Sequence, residues 1–145
     1  MFASSYPSPA SARHQLSGLY QQVGLETQLA GASPHHLVAM LFDGYMEAVA
    51  QARGAMRAGQ IELKGRAIGR ALGIVQEGLR AGLDLKVGGS LARDLDDLYA
   101  YIAGRLTLAN ARNDETMLDE CQRLVQPLRD AWTSIAPTAR PAGPR

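Results

Sequence analysis

Residues 60–86, QIELKGRAIGRALGIVQEGLRAGLDLK, decide the fold of this chain. On an α-helix, where successive side chains are about 100° apart, the polar residues of this stretch gather in one narrow sector. The remaining arc of apolar and small residues spans roughly 200°, about twice the stripe of a helix that packs on one core. Neighbouring helices on both sides would cover this arc. Alternatively, part of it lines a groove for the helix of a partner.

The apolar arc has two edges and contains several glycines. It begins near Leu63, Ala67 and Ile74, and it ends near Ile61, Leu72, Leu79 and Leu83. The glycines are Gly65, Gly69, Gly73, Gly78 and Gly82. Each glycine inside a helix costs ~1 kcal/mol relative to alanine, so it usually has a packing or a functional reason. These glycines therefore either allow a neighbouring helix to approach closely or form the floor of a shallow groove.

The composition of the chain excludes several classes of protein. The 145 residues include 15 Lys and Arg against 14 Asp and Glu, a net charge of +1. This balance gives no basic surplus for binding nucleic acid. Cys121 is the single cysteine, so no intrachain disulfide forms. Because no apolar run approaches the ~18 residues of a membrane span and the N-terminus lacks the pattern of a secretory signal, we expect a cytoplasmic protein.

The N-terminal part of the chain has a weak helical pattern. Residues 1–12 are rich in Ser, Ala and Pro, and we expect them to be disordered. Residues 13–30 place Leu19, Tyr20 and Val23 on one side, but internal glycines weaken the helix. A marginal helix that carries an aromatic residue can act as a detachable arm, and it can equally be an ordinary packing helix.

Three further helices are predicted from their apolar periodicity and their capping residues. Ser33-Pro34 starts a helix over residues 34–58, and Asn113-Asp114 separates two more over residues 90–112 and 114–135. Residues 136–145 form a disordered tail. Together with the helix over residues 60–86, these segments predict an all-α domain over residues 13–135. Since short connections make successive helices antiparallel, we expect an up-down-up-down four-helix bundle with an N-terminal arm or short helix.

The sequence predicts no catalytic, cofactor-binding or metal-binding site. His35 and His36 are adjacent and therefore point ~100° apart on a helix, so they cannot share a ligand face. The acidic residues at 94, 96 and 97 lack the glycine and the glutamate of a calcium-binding loop. Cys121 lies on the apolar stripe of the last helix, as expected for a small buried thiol. Nothing in the chain argues for an enzyme.

Several short stretches, in this order and at these separations, resemble the flagellar secretion chaperone FliS. They are Tyr20–Thr27 (YQQVGLET), Ala32–Leu37 (ASPHHL), Met40–Gly44 (MLFDG), Lys64-Gly65, Leu83-Asp84, Gly88-Gly89, Leu98-Tyr99, Ala109-Asn110, Asn113-Asp114 and Ala131-Trp132. The resemblance covers about residues 15–135.

The resemblance implies a cytoplasmic export chaperone built as a four-helix bundle. Such proteins hold the amphipathic C-terminal segment of flagellin, prevent its premature assembly and deliver it to the gate of the flagellar type III export apparatus. The implied partners are therefore flagellin and a component of the export gate. The resemblance also implies that the N-terminal arm, with Tyr20, lies on the hydrophobic binding surface and moves when flagellin arrives.

From the apolar faces of the helices and the arm we predict a set of partner-binding residues. The candidates are Tyr20, Val23, Ile68, Leu72, Val75, Leu79, Tyr99, Ile102 and Leu106. Each of them could instead be an ordinary core residue, because periodicity does not separate the two uses of an apolar face. A helical adaptor or regulator for another amphipathic helix, and a ligand-binding or metal-binding bundle, are the alternative functions. The sequence leaves the oligomeric state open, with a homodimer as one option.

Overall fold

A computed structural model describes residues 33–135, which form an antiparallel four-helix bundle. Its helices are α1 (Pro34–Arg57), α2 (Ile61–Gly73), α3 (Gly89–Arg112) and α4 (Glu115–Ser134), and α2 continues directly into a π-helical segment, Ile74–Arg80. α1 packs against α2 and α4, and α3 packs against the same two helices. Residues 33–135 contain no strand. The predicted fold class is therefore confirmed, while the arm and both terminal segments lie outside the described residues.

Local capping explains where the helices begin and end. The Ser33 side chain accepts a hydrogen bond from the backbone N–H of His36 at 3.1 Å, and Pro34 occupies the first position of α1. Asn113 ends α3 in the left-handed conformation, with φ at 54°. The next residue, Asp114, accepts a hydrogen bond from the N–H of Thr116 at 2.9 Å and so starts α4. These caps satisfy backbone groups that have no partner within a helix.

The second helix is shorter than its sequence pattern suggests. In the π-helical segment the N–H of Ala81 bonds to the carbonyl of Gln76, five residues earlier, at 3.2 Å. Past this segment, the Asp84 carboxylate accepts hydrogen bonds from the N–H groups of Lys86 and Val87 at 3.1 and 3.0 Å. A side chain that binds nearby backbone donors competes with helical bonding. Residues 81–88 therefore form the connection to α3 instead of the last turns of the helix.

The core is built around Tyr45, which is fully buried. Its hydroxyl donates a hydrogen bond to the carbonyl of Cys121 at 3.0 Å and so joins α1 to α4. Burial raises the pKa of Tyr45 above its ordinary value, and burial also raises the pKa of the Cys121 thiol to about 12. Because the thiolate is the reactive form of cysteine, Cys121 is an inert core residue.

Lys64 is the buried charged residue of the described core. The residue is 5% exposed, and its Nζ donates hydrogen bonds to the carbonyl of Asn110 at 3.2 Å and to the Oδ1 of Asn113 at 2.9 Å. These two acceptors lie at the C-terminal end of α3, where the helix dipole favours a positive charge. Lys64 therefore fastens the start of α2 to the end of α3.

His35 and Trp132 join the other end of the bundle. The His35 ring stacks on the Trp132 ring, with centroids 4.7 Å apart and an interplanar angle of 10°. The indole N–H of Trp132 donates to the carbonyl of His35 at 2.9 Å, and the Nε2 of His35 lies 2.8 Å from the carbonyl of Trp132. His35 is thus a packing residue between α1 and α4, rather than the free surface residue that its position in the first turn suggests.

Candidate partner-binding surface

Most of the predicted partner-binding residues lie in the core of the bundle. The following six are each at most 6% exposed: Ile68, Val75, Leu79, Tyr99, Ile102 and Leu106. They belong to one hydrophobic cluster that contains residues from all four helices. Burial also raises the pKa of Tyr99 to about 12. This burial supports their alternative role as core residues. Tyr20 and Val23 lie outside the described residues.

Leu72 is the predicted residue of the described part that is only partly buried, and it packs against the edge of the core cluster. It lies on the edge of α2 where the predicted apolar arc ends. On the same edge Ile61 is 66% exposed, and Leu83 in the following connection is partly buried against the core. The arc is therefore covered by α1 and α3 over most of its width, and Ile61 is its exposed apolar residue on the α3 side.

Three glycines beside this edge face open space: Gly65 and Gly69 on α2 and Gly104 on α3. We call these three positions the glycine shelf. A Cβ atom built at Gly65, Gly69 or Gly104 would have no neighbouring heavy atom within 4 Å. By contrast, a Cβ atom at Gly44 would lie 3.3 Å from the Cδ1 of Ile74, as expected where two helices approach closely. Close packing of a neighbouring helix within residues 33–135 therefore does not explain Gly65, Gly69 or Gly104, and their role as a groove floor stays a prediction.

Two contacts fix how these residues line up across α2 and α3. The Nε of Arg80 donates to the Oδ1 of Asp96 at 2.7 Å at one end, and Lys64 bonds to Asn110 at the other. Antiparallel helices in this register place Leu72 level with Gly104. We use the name α2–α3 surface for the residues Ile61, Gly65, Gly69, Leu72, Gly104 and Leu108, of which Leu72 and Leu108 are partly buried against the core.

Tyr101 borders the α2–α3 surface on the outer side of α3. It is 48% exposed, and its hydroxyl donates a hydrogen bond to the Oε2 of Glu120 at 2.6 Å. The Nε of Arg105 donates to the other oxygen of Glu120 at 2.8 Å, and the Cζ of Arg105 lies 5.9 Å from the centre of the tyrosine ring. The hydrogen bond to Glu120 raises the pKa of Tyr101, and the same bond lowers the pKa of Glu120. At neutral pH the carboxylate is therefore ionised and the phenol is not.

The α2–α3 surface offers apolar side chains, and its glycines Gly69 and Gly104 are exposed. In residues 33–135 there is no group of three or more His, Cys, Asp or Glu side chains that could hold a metal ion. None of the described helices is long and apolar enough to cross a membrane.

Gly65 and Gly69 are among the glycines for which the sequence leaves two roles open, and Gly104 does not stand out in the sequence. The signal for all three in the sequence is a glycine in the middle of a helical pattern, because the cost of glycine in helix propensity needs a reason. Tyr101 and Leu108 are seven positions apart in the sequence, a spacing that places them on one side of the helix over residues 90–112.

The fold defines the class of protein: an antiparallel, all-α four-helix bundle, with the α2–α3 surface as its candidate binding surface. The particular family follows from comparison with known proteins. Residues 16–139 match the family model described as "Flagellar protein FliS". The chain belongs to the FliS family, so the resemblance noted in the sequence is confirmed.

Curated relatives support the same assignment over most of the chain. The chain is 47% identical, over 81% of its length and 92% of the relative, to a protein of Pseudomonas aeruginosa named flagellar secretion chaperone FliSB. It is 42% identical, over 83% of its length and 89% of the relative, to the flagellar secretion chaperone FliS of Salmonella typhimurium. The FliS protein of Bacillus subtilis is 31% identical over 83% of this chain and 86% of the relative. The chain is therefore a flagellar export chaperone, and its family is one of chaperones and not of enzymes.

Proposed function

We propose that this protein binds the amphipathic C-terminal segment of flagellin on its α2–α3 surface in the bacterial cytoplasm. Binding keeps flagellin from polymerising before export, and the complex delivers it to a component of the flagellar type III export gate. The observation that carries this proposal is the open space above Gly65, Gly69 and Gly104. Membership in a family of flagellar secretion chaperones supports the flagellar client.

The geometry suits an extended or helical client that lies across the two helices. Without side chains at the three glycines, the backbone of a client can approach the backbones of α2 and α3 closely. Leu72 and Ile61 beside this shelf supply apolar area for one face of an amphipathic segment. A segment that becomes ordered on binding loses conformational entropy, so a long contact is needed to compensate. The α2–α3 surface extends from Ile61 to Leu72 on α2, about 16 Å at 1.5 Å per residue, and it continues at Gly104 and Leu108 on α3.

The proposal gives the N-terminal arm a role in the free protein. Residues 13–30 carry apolar side chains, among them Tyr20 and Val23, and the chain enters the bundle at Ser33. We propose that this arm covers the binding surface until flagellin displaces it. The support for this part is the apolar pattern of the arm together with the resemblance to the family.

The client is tested by comparing two lengths of flagellin from the same bacterium. Full-length flagellin monomer is expected to bind the purified chaperone in calorimetric titration, and flagellin that lacks its C-terminal segment is expected not to bind. The isolated C-terminal segment should bind with most of the affinity of the full-length protein. Equal binding of the full-length and truncated proteins would contradict the proposed client segment. Binding of neither would instead favour an adaptor for another amphipathic helix.

A further inference from the structure

We infer that Tyr101 is a pre-positioned aromatic anchor that contacts an apolar side chain of the client, and that Glu120 acts as its positioning residue. The inference rests on the proposed function, because it assumes that the client lies on the α2–α3 surface. It adds a contact on α3 that lies outside the predicted set of binding residues and closer to α4.

Tyr101 lies beside the α2–α3 surface. Tyr101 precedes Gly104 by three positions and Leu108 by seven, so the three residues lie along one outer side of α3. No atom fills the space where a side chain at Gly104 would be. A client that crosses the shelf at Gly104 therefore meets the exposed tyrosine ring next.

The ring of Tyr101 is held in place before any partner arrives. Both oxygens of the Glu120 carboxylate are engaged, one by the Tyr101 hydroxyl at 2.6 Å and the other by Arg105 at 2.8 Å. Arg105 also lies over the tyrosine ring. An exposed side chain that is already ordered loses less entropy when it binds. Tyrosine and arginine are also the residue types enriched at the energetic centres of protein interfaces.

The surroundings of the Tyr101 ring determine which kind of client residue fits against it. The phenol has donated its hydrogen to Glu120, and the charge of Glu120 is balanced by Arg105, so no net charge or free phenolic proton is directed outward. What the ring presents is aromatic surface, which an apolar or aromatic side chain covers best. We therefore expect Tyr101 to select an apolar residue in the part of the flagellin segment that lies over α3.

The inference is tested by a double-mutant cycle with a fluorescently labelled C-terminal segment of flagellin. Tyr101→Ala should weaken binding about tenfold, in the range of interface tyrosines. Glu120→Ala should weaken it about threefold in the normal background and have no effect in the Tyr101→Ala background, because its role is to hold the ring. Tyr101→Phe keeps the ring without the hydroxyl and should match Glu120→Ala.

Control variants separate this inference from the proposed function. Asp119→Ala removes an acidic residue of α4 that pairs instead with Arg53 of α1, at 3.2 Å, and it should leave affinity unchanged. If Tyr101→Ala binds as well as the unaltered protein while Leu72→Asp does not, the anchor is refuted and the proposed surface stands. If both bind normally, the proposed surface is wrong as well. An equal loss from Glu120→Ala in both backgrounds would show that Glu120 does not act through Tyr101.

Discussion

Leu72→Asp is expected to weaken binding of the flagellin C-terminal segment by about tenfold, part of the value of one fully buried leucine side chain. Leu72 is partly buried at the edge of α2 that faces α3, level with Gly104 of α3. A carboxylate there loses its hydration when an apolar client covers it, and no cation of the proposed surface replaces that hydration. Calorimetric titration of the purified variant measures the loss.

Leu63→Asp provides a matched control for this variant on the same helix. Leu63 is also a partly buried leucine of α2, but it lies nine positions away and therefore points about 180° from Leu72. Both variants lose some stability, so affinity is compared per folded molecule at a temperature well below both unfolding midpoints. Equal losses of affinity in the two variants, or a loss only in Leu63→Asp, would show that the client does not bind on the α3 side of α2.

Lys64→Met is expected to lower the free energy of unfolding by about 2 kcal/mol, within the range for hydrogen bonds to charged groups. Methionine fills a similar volume, but it leaves the carbonyl of Asn110 and the side chain of Asn113 without their buried donor. For a domain of this size the unfolding midpoint should fall on the order of 10 °C. Thermal unfolding followed by circular dichroism measures the shift.

Lys86→Met is the natural control, since Lys64 and Lys86 are the lysines of this chain. Lys86 is exposed in the connection before α3, and exposed substitutions away from special features change stability little. The same unfolding midpoint for both variants would mean that the hydrogen bonds of Lys64 do not stabilise the junction of α2 and α3.

The helical architecture could be predicted because local signals and apolar periodicity agree. Ser33-Pro34 and Asn113-Asp114 both act as the sequence suggests, since capping depends on a few neighbouring backbone groups. The end of the second helix was harder to predict. Its apolar pattern continues past Arg80, but Asp84 binds the backbone of residues 86 and 87 and the chain turns. A pattern of side chains does not show which of two local hydrogen-bonding arrangements prevails.

The binding surface was only partly predictable from the sequence. The wide apolar arc of the second helix is real, but α1 and α3 cover most of it, and residues such as Ile68 and Val75 lie in the core. Which edge stays uncovered depends on how four helices pack, and periodicity within one helix contains no information about that. Gly65, Gly69 and Gly104 gave the better signal, because each carries a cost in helix stability and a side chain at each would meet no neighbour within 4 Å.

The central claim is that the client lies over the glycine shelf, and the triple variant Gly65→Ala, Gly69→Ala, Gly104→Ala tests it most directly. Since the added methyl groups meet no atom within 4 Å, the bundle should become more stable by roughly 2 kcal/mol from helix propensity. The affinity for the flagellin segment should nevertheless fall at least about tenfold, because methyl groups fill the space that the client backbone needs.

Gly54→Ala on α1 is the control, because a Cβ atom there also has no neighbour within 4 Å but the position is not part of the α2–α3 surface. We predict that Gly54→Ala raises the free energy of unfolding by about one third of the effect of the triple variant. It should leave the affinity for the flagellin segment unchanged. The decisive measurement is therefore the dissociation constant of the stabilised triple variant. The predicted result is a larger dissociation constant than that of the unaltered protein. An unchanged dissociation constant in a triple variant that is more stable would contradict the account.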